Sequence, residues 1–151
     1  MFSVTIGCFD RYRWFAKYPQ LAQAFVEELK RTAGTRCSEV FAWCVMPDHV
    51  HLLVRDDDVV ELVRLLKGRL TPVARRIEAG RCLWQRSFYD HGLRLEKDLL
   101  RAARYIWENP IRANLVAEAD AYPCSGSLIW RHWSDYDLSS SDSVTTQYVG
   151  E

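Results

Sequence analysis

EVFAWCVMPDHVHLLV, residues 39–54, holds two runs of strand-forming residues broken by Pro47 and Asp48, and so reads as a tight antiparallel hairpin. Side chains on a strand alternate between faces, so if Val50, Leu52 and Val54 fill a core, His49 and His51 share the opposite face. Neighbours two apart on one strand face lie roughly 6.5 to 7 Å apart. Rings leaning together over that gap can grip one metal ion, a role neutral imidazole commonly takes. The same pattern also suits two surface histidines on a half-buried strand.

Outward from the hairpin the elements follow in order. Residues 2–9 read as a strand. Pro19 opens a helix whose apolar positions Leu21, Ala24, Phe25 and Leu29 recur at helical spacing, with Gly34 as its stop. After the hairpin, a helix is expected over 59–79, with Leu62, Leu66, Leu70, Val73 and Ile77 in one stripe and Arg64, Lys67, Thr71 and Arg75 on the other face. Pro72 falls inside it, where a proline can kink or split a helix. A strand over 84–90 and a third helix over 96–109, ended by Pro110, complete the pattern. The order β, α, β, β, α, β is the signature of an α+β, ferredoxin-like (RRM-like) sandwich, an antiparallel sheet with two helices on one face. Its other face, where His49 and His51 project, is left for the third helix or a ligand to cover. Residues 1–133 are expected to form one domain, and the Ser- and Asp-rich residues 134–151 a flexible tail.

Composition narrows the function classes. At 151 residues, 48% hydrophobic and 26% charged, the chain has the make-up of one globular domain. It is too short for a (β/α)8 metallohydrolase, which needs at least about 200 residues. The five cysteines are scattered without a C-x-x-C pair, so free thiols are expected rather than a disulfide framework or a structural zinc site. No run of eighteen apolar residues and no signal-peptide pattern is visible, which reads as a cytoplasmic protein with no membrane partner. Net charge is zero, yet its distribution is uneven. Residues 64–112 carry twelve basic and five acidic side chains, against seven and nine before them and one and six after. That asymmetry suits an anionic partner for the central segment, although a basic helix face can also be merely solvated.

On the third helix, Leu99, Leu100, Ala103, Ile106 and Trp107 gather on one side. Tyr105 lies on the opposite side, among Asp98, Arg101, Ala102 and Asn109. A structural tyrosine more often anchors the apolar stripe, though exposed tyrosines are common. Asn109 follows four residues later, so its amide and the phenol can approach one point in space.

WCVMPDHVHLLV, then FYDHGLR, then ARYIWENPIRANLV together resemble the single-tyrosine HUH transposases, and the last run with YPCSGSLIW resembles their REP-associated branch. These motifs span roughly residues 40–130. The resemblance implies a nuclease in which His49 and His51 form the metal pair, Tyr105 on the third helix is the nucleophile and Asn109 stands where the family supplies a third ligand, often Gln. Asn is one methylene shorter. The family usually has Gly where this chain has Asn114, a mild departure because Asn tolerates the left-handed conformation. The implied cofactor is a divalent ion, Mg2+ or Mn2+, and the implied partner is single-stranded DNA with a REP-like hairpin, cut and rejoined through a 5′-phosphotyrosine. Arg64, Lys67 and Arg75, with Arg101 and Arg104 on the third helix, are the candidate DNA contacts. His91 is expected to be structural or to contact DNA rather than metal, Asp48 to form the turn, and Tyr89, the rival nucleophile, to pack. The short link over 91–95 favours a monomer working in cis, as is expected of that branch. Two rivals remain: a sheet that binds nucleic acid without cutting it, and a metal phosphodiesterase using water.

Overall fold

The structure is a computed structural model that describes residues 1–94 and 96–130. The expected boundary at 133 and the tail over 134–151 lie outside the described residues. Strands β1 (Phe2–Gly7), β2 (Glu39–Val45), β3 (His49–Arg55), β4 (Tyr89–Gly92) and β5 (Ser125–Gly126) form a sheet in the order β4-β1-β3-β2-β5, every pairing antiparallel. Four helices take part in its two layers or their connections: α1 (Trp14–Lys17), α2 (Pro19–Arg36), α3 (Val59–Ile77) and α4 (Glu96–Trp107), with a short α5 (Asn109–Arg112) after them. This is the ferredoxin-like sandwich, with β5 added at one edge.

The central strand decides how the layers divide. Val50, Leu52 and Val54 join Val4, Ile6, Val45 and the buried faces of α2 and α3 in one core. Leu53 joins Ala42, Cys44 and Met46 in a second core, closed by Ala103, Ile106 and Trp107 of α4. The sheet is thus covered on both faces, as two-layer burial requires. A bulge between Val40 and Ala42 turns Phe41 toward the α4 side.

The element bounds shift in places: the strand expected over 2–9 ends at Gly7, and the helix expected over 59–79 forms as Val59–Ile77. Helix α2 runs through Gly34 and ends at Cys37, whose φ of 56° is left-handed. The stop is set there by tertiary bonds, because Arg36 forks onto Asp56 at 3.0 and 2.6 Å and holds the last turn. Helix α3 passes Pro72 unbroken. Its core stripe anchors both sides of the proline, with Leu66, Leu70 and Ala74 buried. Trp84 makes only a single bridge to Cys8, so β4 starts at Tyr89 rather than 84; the Trp84 ring is instead drawn into the helix layer beside Phe15 and Phe25.

At the far edge, Gly126 lies so close to Trp43 that an added Cβ would sit 2.5 Å from the indole, and the Gly126 carbonyl accepts from Trp107 Nε1 at 3.1 Å. Gly126 therefore joins β2 to α4. Gly126→Ala is expected to destabilise the fold by about 1–3 kcal/mol through overpacking, measured by denaturant unfolding.

Candidate active site

His49 and His51 project from β3 on the α4 side of the sheet, as their register with Gly7, Thr5 and Cys44 shows. Their Nε2 atoms converge to 3.0 Å, with the rings nearly perpendicular. Each opposite nitrogen is held: His49 Nδ1 lies 2.6 Å from Asp48 Oδ1, and His51 Nδ1 lies 3.1 Å from Thr5 Oγ1. A carboxylate only accepts, so His49 donates through Nδ1 and presents a lone pair at Nε2. In the neutral, metal-free pair His51 then donates Nε2–H to His49 and accepts from the Thr5 hydroxyl. Turning that hydroxyl to accept from Nδ1–H would free the second Nε2 lone pair.

Burial first, then the neighbouring His49 and the charge of Arg112, push the His51 pKa down to about 4. A neutral imidazole is the ligand form. Two converging nitrogens, one backed by a carboxylate and one by a hydroxyl, fit a divalent cation, since such outer partners orient metal-binding histidines. Among the described residues no group of three His, Cys, Asp or Glu side chains could hold a metal. A third donor would have to be an amide, water or phosphate oxygen.

Helix α4 lies over the same face. Tyr105 points away from its buried stripe and is 61% exposed. The helix stops at Trp107, and Asn109 opens α5, because Pro110 belongs to a first turn and cannot donate to the turn before it. The break is slight: Glu108 keeps φ −82° and ψ −4°, and its N–H reaches the Arg104 carbonyl at 2.9 Å. Asn109 is half-buried, and among the described residues neither it nor Tyr105 hydrogen-bonds to the histidines. The structure thus brings the histidines and the tyrosine helix to one face without joining them.

The basic candidates divide. Arg64, Lys67 and Arg75 sit on α3, in the layer on the other side of the sheet. Arg64 is forked onto Glu61 at 2.6 Å, and Lys67 donates to the Gln85 carbonyl at 2.6 Å, its pKa lowered by burial. Arg75 is exposed at the rim of a cavity lined by Thr71, Arg81 and Trp84. On α4, Arg104 pairs with Glu108 at 2.7 Å, while Arg101 is exposed. Tyr89, expected to pack, is instead 74% exposed on the edge strand β4. It shares the histidine face through its register with Thr5, and the exposed His91 shares it through Ser3.

Sequence reasoning missed three participants. Asp48 forms the turn as expected, yet its carboxylate also orients His49. Thr5 becomes visible only through the β1–β3 register. Arg112 lies seven residues from Tyr105, two helical turns, a spacing hidden by reading Pro110 as a stop.

The sequence profile described as "Transposase IS200 like" matches residues 4–109, a span containing both histidines, Tyr105 and Asn109. The chain belongs to the IS200-like transposase family. Among similar proteins is a putative REP-associated tyrosine transposase of Haemophilus influenzae, 30% identical over 115 residues and matched over 67% of this chain. Another is the REP-associated tyrosine transposase of Escherichia coli K12, 29% identical over 113 residues and 72% of this chain. The matches cover 65% and 64% of those relatives, so this IS200-like chain spans just under two thirds of their length. Among solved structures, a REP-associated tyrosine transposase bound to a REP hairpin superposes with TM-score 0.68 at 24% identity, covering 82% of this chain and 74% of that one. A putative transposase from Deinococcus radiodurans matches with TM-score 0.51 at 23% identity, covering 70% and 86%. Both likenesses show the fold.

NMR titration of the metal-free protein should place the His51 midpoint near pH 4 rather than 6.5. The folded-state pKa is depressed, so the unfolded chain takes up this proton first. His51 therefore contributes stability that is present above about pH 6.5 and lost as pH falls toward 4.

Proposed function

We propose that this protein is a metal-dependent single-stranded DNA transposase that cleaves and rejoins DNA through a 5′-phosphotyrosine on Tyr105. The observation that carries this reading is the convergence of two supported imidazole nitrogens to 3.0 Å on the sheet face that α4, with its exposed Tyr105, also covers. His49 and His51 would hold Mg2+ or Mn2+, with the Asn109 amide as a third donor; nitrogen ligands suit manganese better than magnesium. When bound, the ion neutralises charge that develops on the reacting phosphate.

The chain's own groups supply the rest. The Tyr105 oxygen attacks phosphorus, the bond from phosphorus to the 3′ oxygen breaks, and the leaving oxygen takes a proton to become a free 3′-hydroxyl. The phosphotyrosine keeps the energy of the phosphodiester, so another 3′-hydroxyl can reverse the step without ATP. Tyrosine has an ordinary pKa of about 10, so its attack benefits from nearby positive charge. The histidine face would accept a single strand beside α4, and hairpins of REP type are the proposed substrate, since both similar curated proteins are named for REP association.

A monomer acting in cis is favoured because only residues 93–95 separate β4 from α4 and because α4 packs on its own chain's sheet. Fully extended, that link spans roughly 10–14 Å. No described helix is long and apolar enough to cross a membrane. The cytoplasm, where chromosomal DNA is reached, is the proposed place of action.

Labelled hairpin DNA incubated with protein and Mn2+ and run on a denaturing gel tests this directly. Tyr105→Phe should abolish the covalent adduct yet bind the hairpin. A normal yield of adduct would overturn the assignment and direct attention to Tyr89. His49→Ala with His51→Ala should remove metal-dependent cleavage, and Asp48→Asn should weaken Mn2+ binding by about 10–100-fold in calorimetry. For phosphate contact, Arg101→Ala and Arg75→Ala should each lower the slope of log affinity against log salt by about 0.7–0.9. Lys67→Ala, whose ammonium already bonds the Gln85 carbonyl, should chiefly reduce stability.

A further inference from the structure

Beyond the tyrosine helix, the chain bends back on itself. Pro110 starts α5, and Arg112 N–H to the Glu108 carbonyl and Ala113 N–H to the Asn109 carbonyl, both 3.0 Å, close its single turn. Asn114, left-handed at φ 57°, ends it with its N–H on the Ile111 carbonyl at 2.9 Å. This bend returns the Arg112 side chain to α4. Its guanidinium carbon lies 3.8 Å from the centroid of the Tyr105 ring, and its Nη2 donates to the Tyr105 main-chain carbonyl.

We propose that Arg112 is the positioning residue for Tyr105: a guanidinium clasp, stacked on the phenol and tied to the same residue's carbonyl, that holds the ring in one direction. The inference rests on the reading of Tyr105 as the nucleophile. A tyrosine on an exposed helix face is otherwise free to turn about two side-chain torsions, and a transferable phosphate requires the oxygen to arrive in line. The clasp removes that freedom before DNA arrives, because a planar guanidinium both stacks on an aromatic face and donates in its own plane. Lysine, a point charge without a planar fork, cannot make the stack and the carbonyl bond together.

The test uses the full chain labelled with 3-fluorotyrosine, the Tyr105 fluorine signal being the one lost in Tyr105→Phe. In Arg112→Ala that signal should move and narrow as the ring is released. Single-turnover cleavage of hairpin DNA with saturating protein and Mn2+ should fall by about a hundredfold, with hairpin affinity little changed. Arg112→Lys should resemble Arg112→Ala in both readouts. An unmoved fluorine signal overturns the clasp. So does full activity in Arg112→Lys, which would mean that charge alone matters, and so does a loss confined to hairpin affinity, which would make Arg112 a phosphate contact. Should the unsubstituted protein form no adduct at all, the proposed function fails on its own, and the fluorine signal still decides whether Arg112 holds the ring.

Discussion

The two-residue period of β3 is the constraint on which the rest of the molecule depends. Each residue of that central strand is committed to one of two layers. Val50, Leu52 and Val54 face α2 and α3, whereas His49, His51 and Leu53 face the α4 side. A slip of one residue would drive two imidazoles into an apolar core and bring three aliphatic side chains to the opposite face. The register is held on both sides, by β1 from Phe2 to Gly7 and by β2 from Glu39 to Val45. The fold and the candidate site are therefore stabilised by the same alternation.

Given that scaffold, the site is an arrangement of paired groups. Asp48 faces His49, Thr5 faces His51, the two Nε2 atoms face each other, and Arg112 faces Tyr105. Each outer group limits the rotation of the inner one. The partners come from the hairpin turn, β1 and α5, three elements with no sequence proximity to one another. Helix α4 is fixed in turn by burial of Ala103, Ile106 and Trp107 and by the Trp107 bond to Gly126. The apolar side of the helix thus sets where its polar side can act.

The uneven charge along the chain does not convert into one basic surface. Arg64 and Lys67 are spent within the protein, on Glu61 and on a loop carbonyl, and α3 lies across the sheet from the histidines. A helical wheel reports which residues share a face of one helix. It carries no information about which face of the sheet that helix covers, nor which cations a neighbouring loop will claim.

Apart from α1, α5 and β5, which it did not reveal, the sequence by itself determined the β, α, β, β, α, β order with the helix after it, the sharing of one strand face by His49 and His51, and the placement of Tyr105 opposite an apolar stripe. These are local periodicities of 2.0 and 3.6 residues, and they survive without knowledge of any distant contact. It did not determine that α2 would pass Gly34, that α3 would pass Pro72, or that Trp84 would leave the strand for the helix layer. For the two helices, burial outweighs a local preference worth about 1–3 kcal/mol, and Trp84 is drawn away by ring packing with Phe15 and Phe25. Tertiary structure alone decided the support of the site as well: Thr5 meets His51 through strand register, and Arg112 meets Tyr105 because Pro110 begins a new turn that brings the chain back. Such contacts join residues whose separation in sequence leaves no periodic trace, so only the folded chain reveals them.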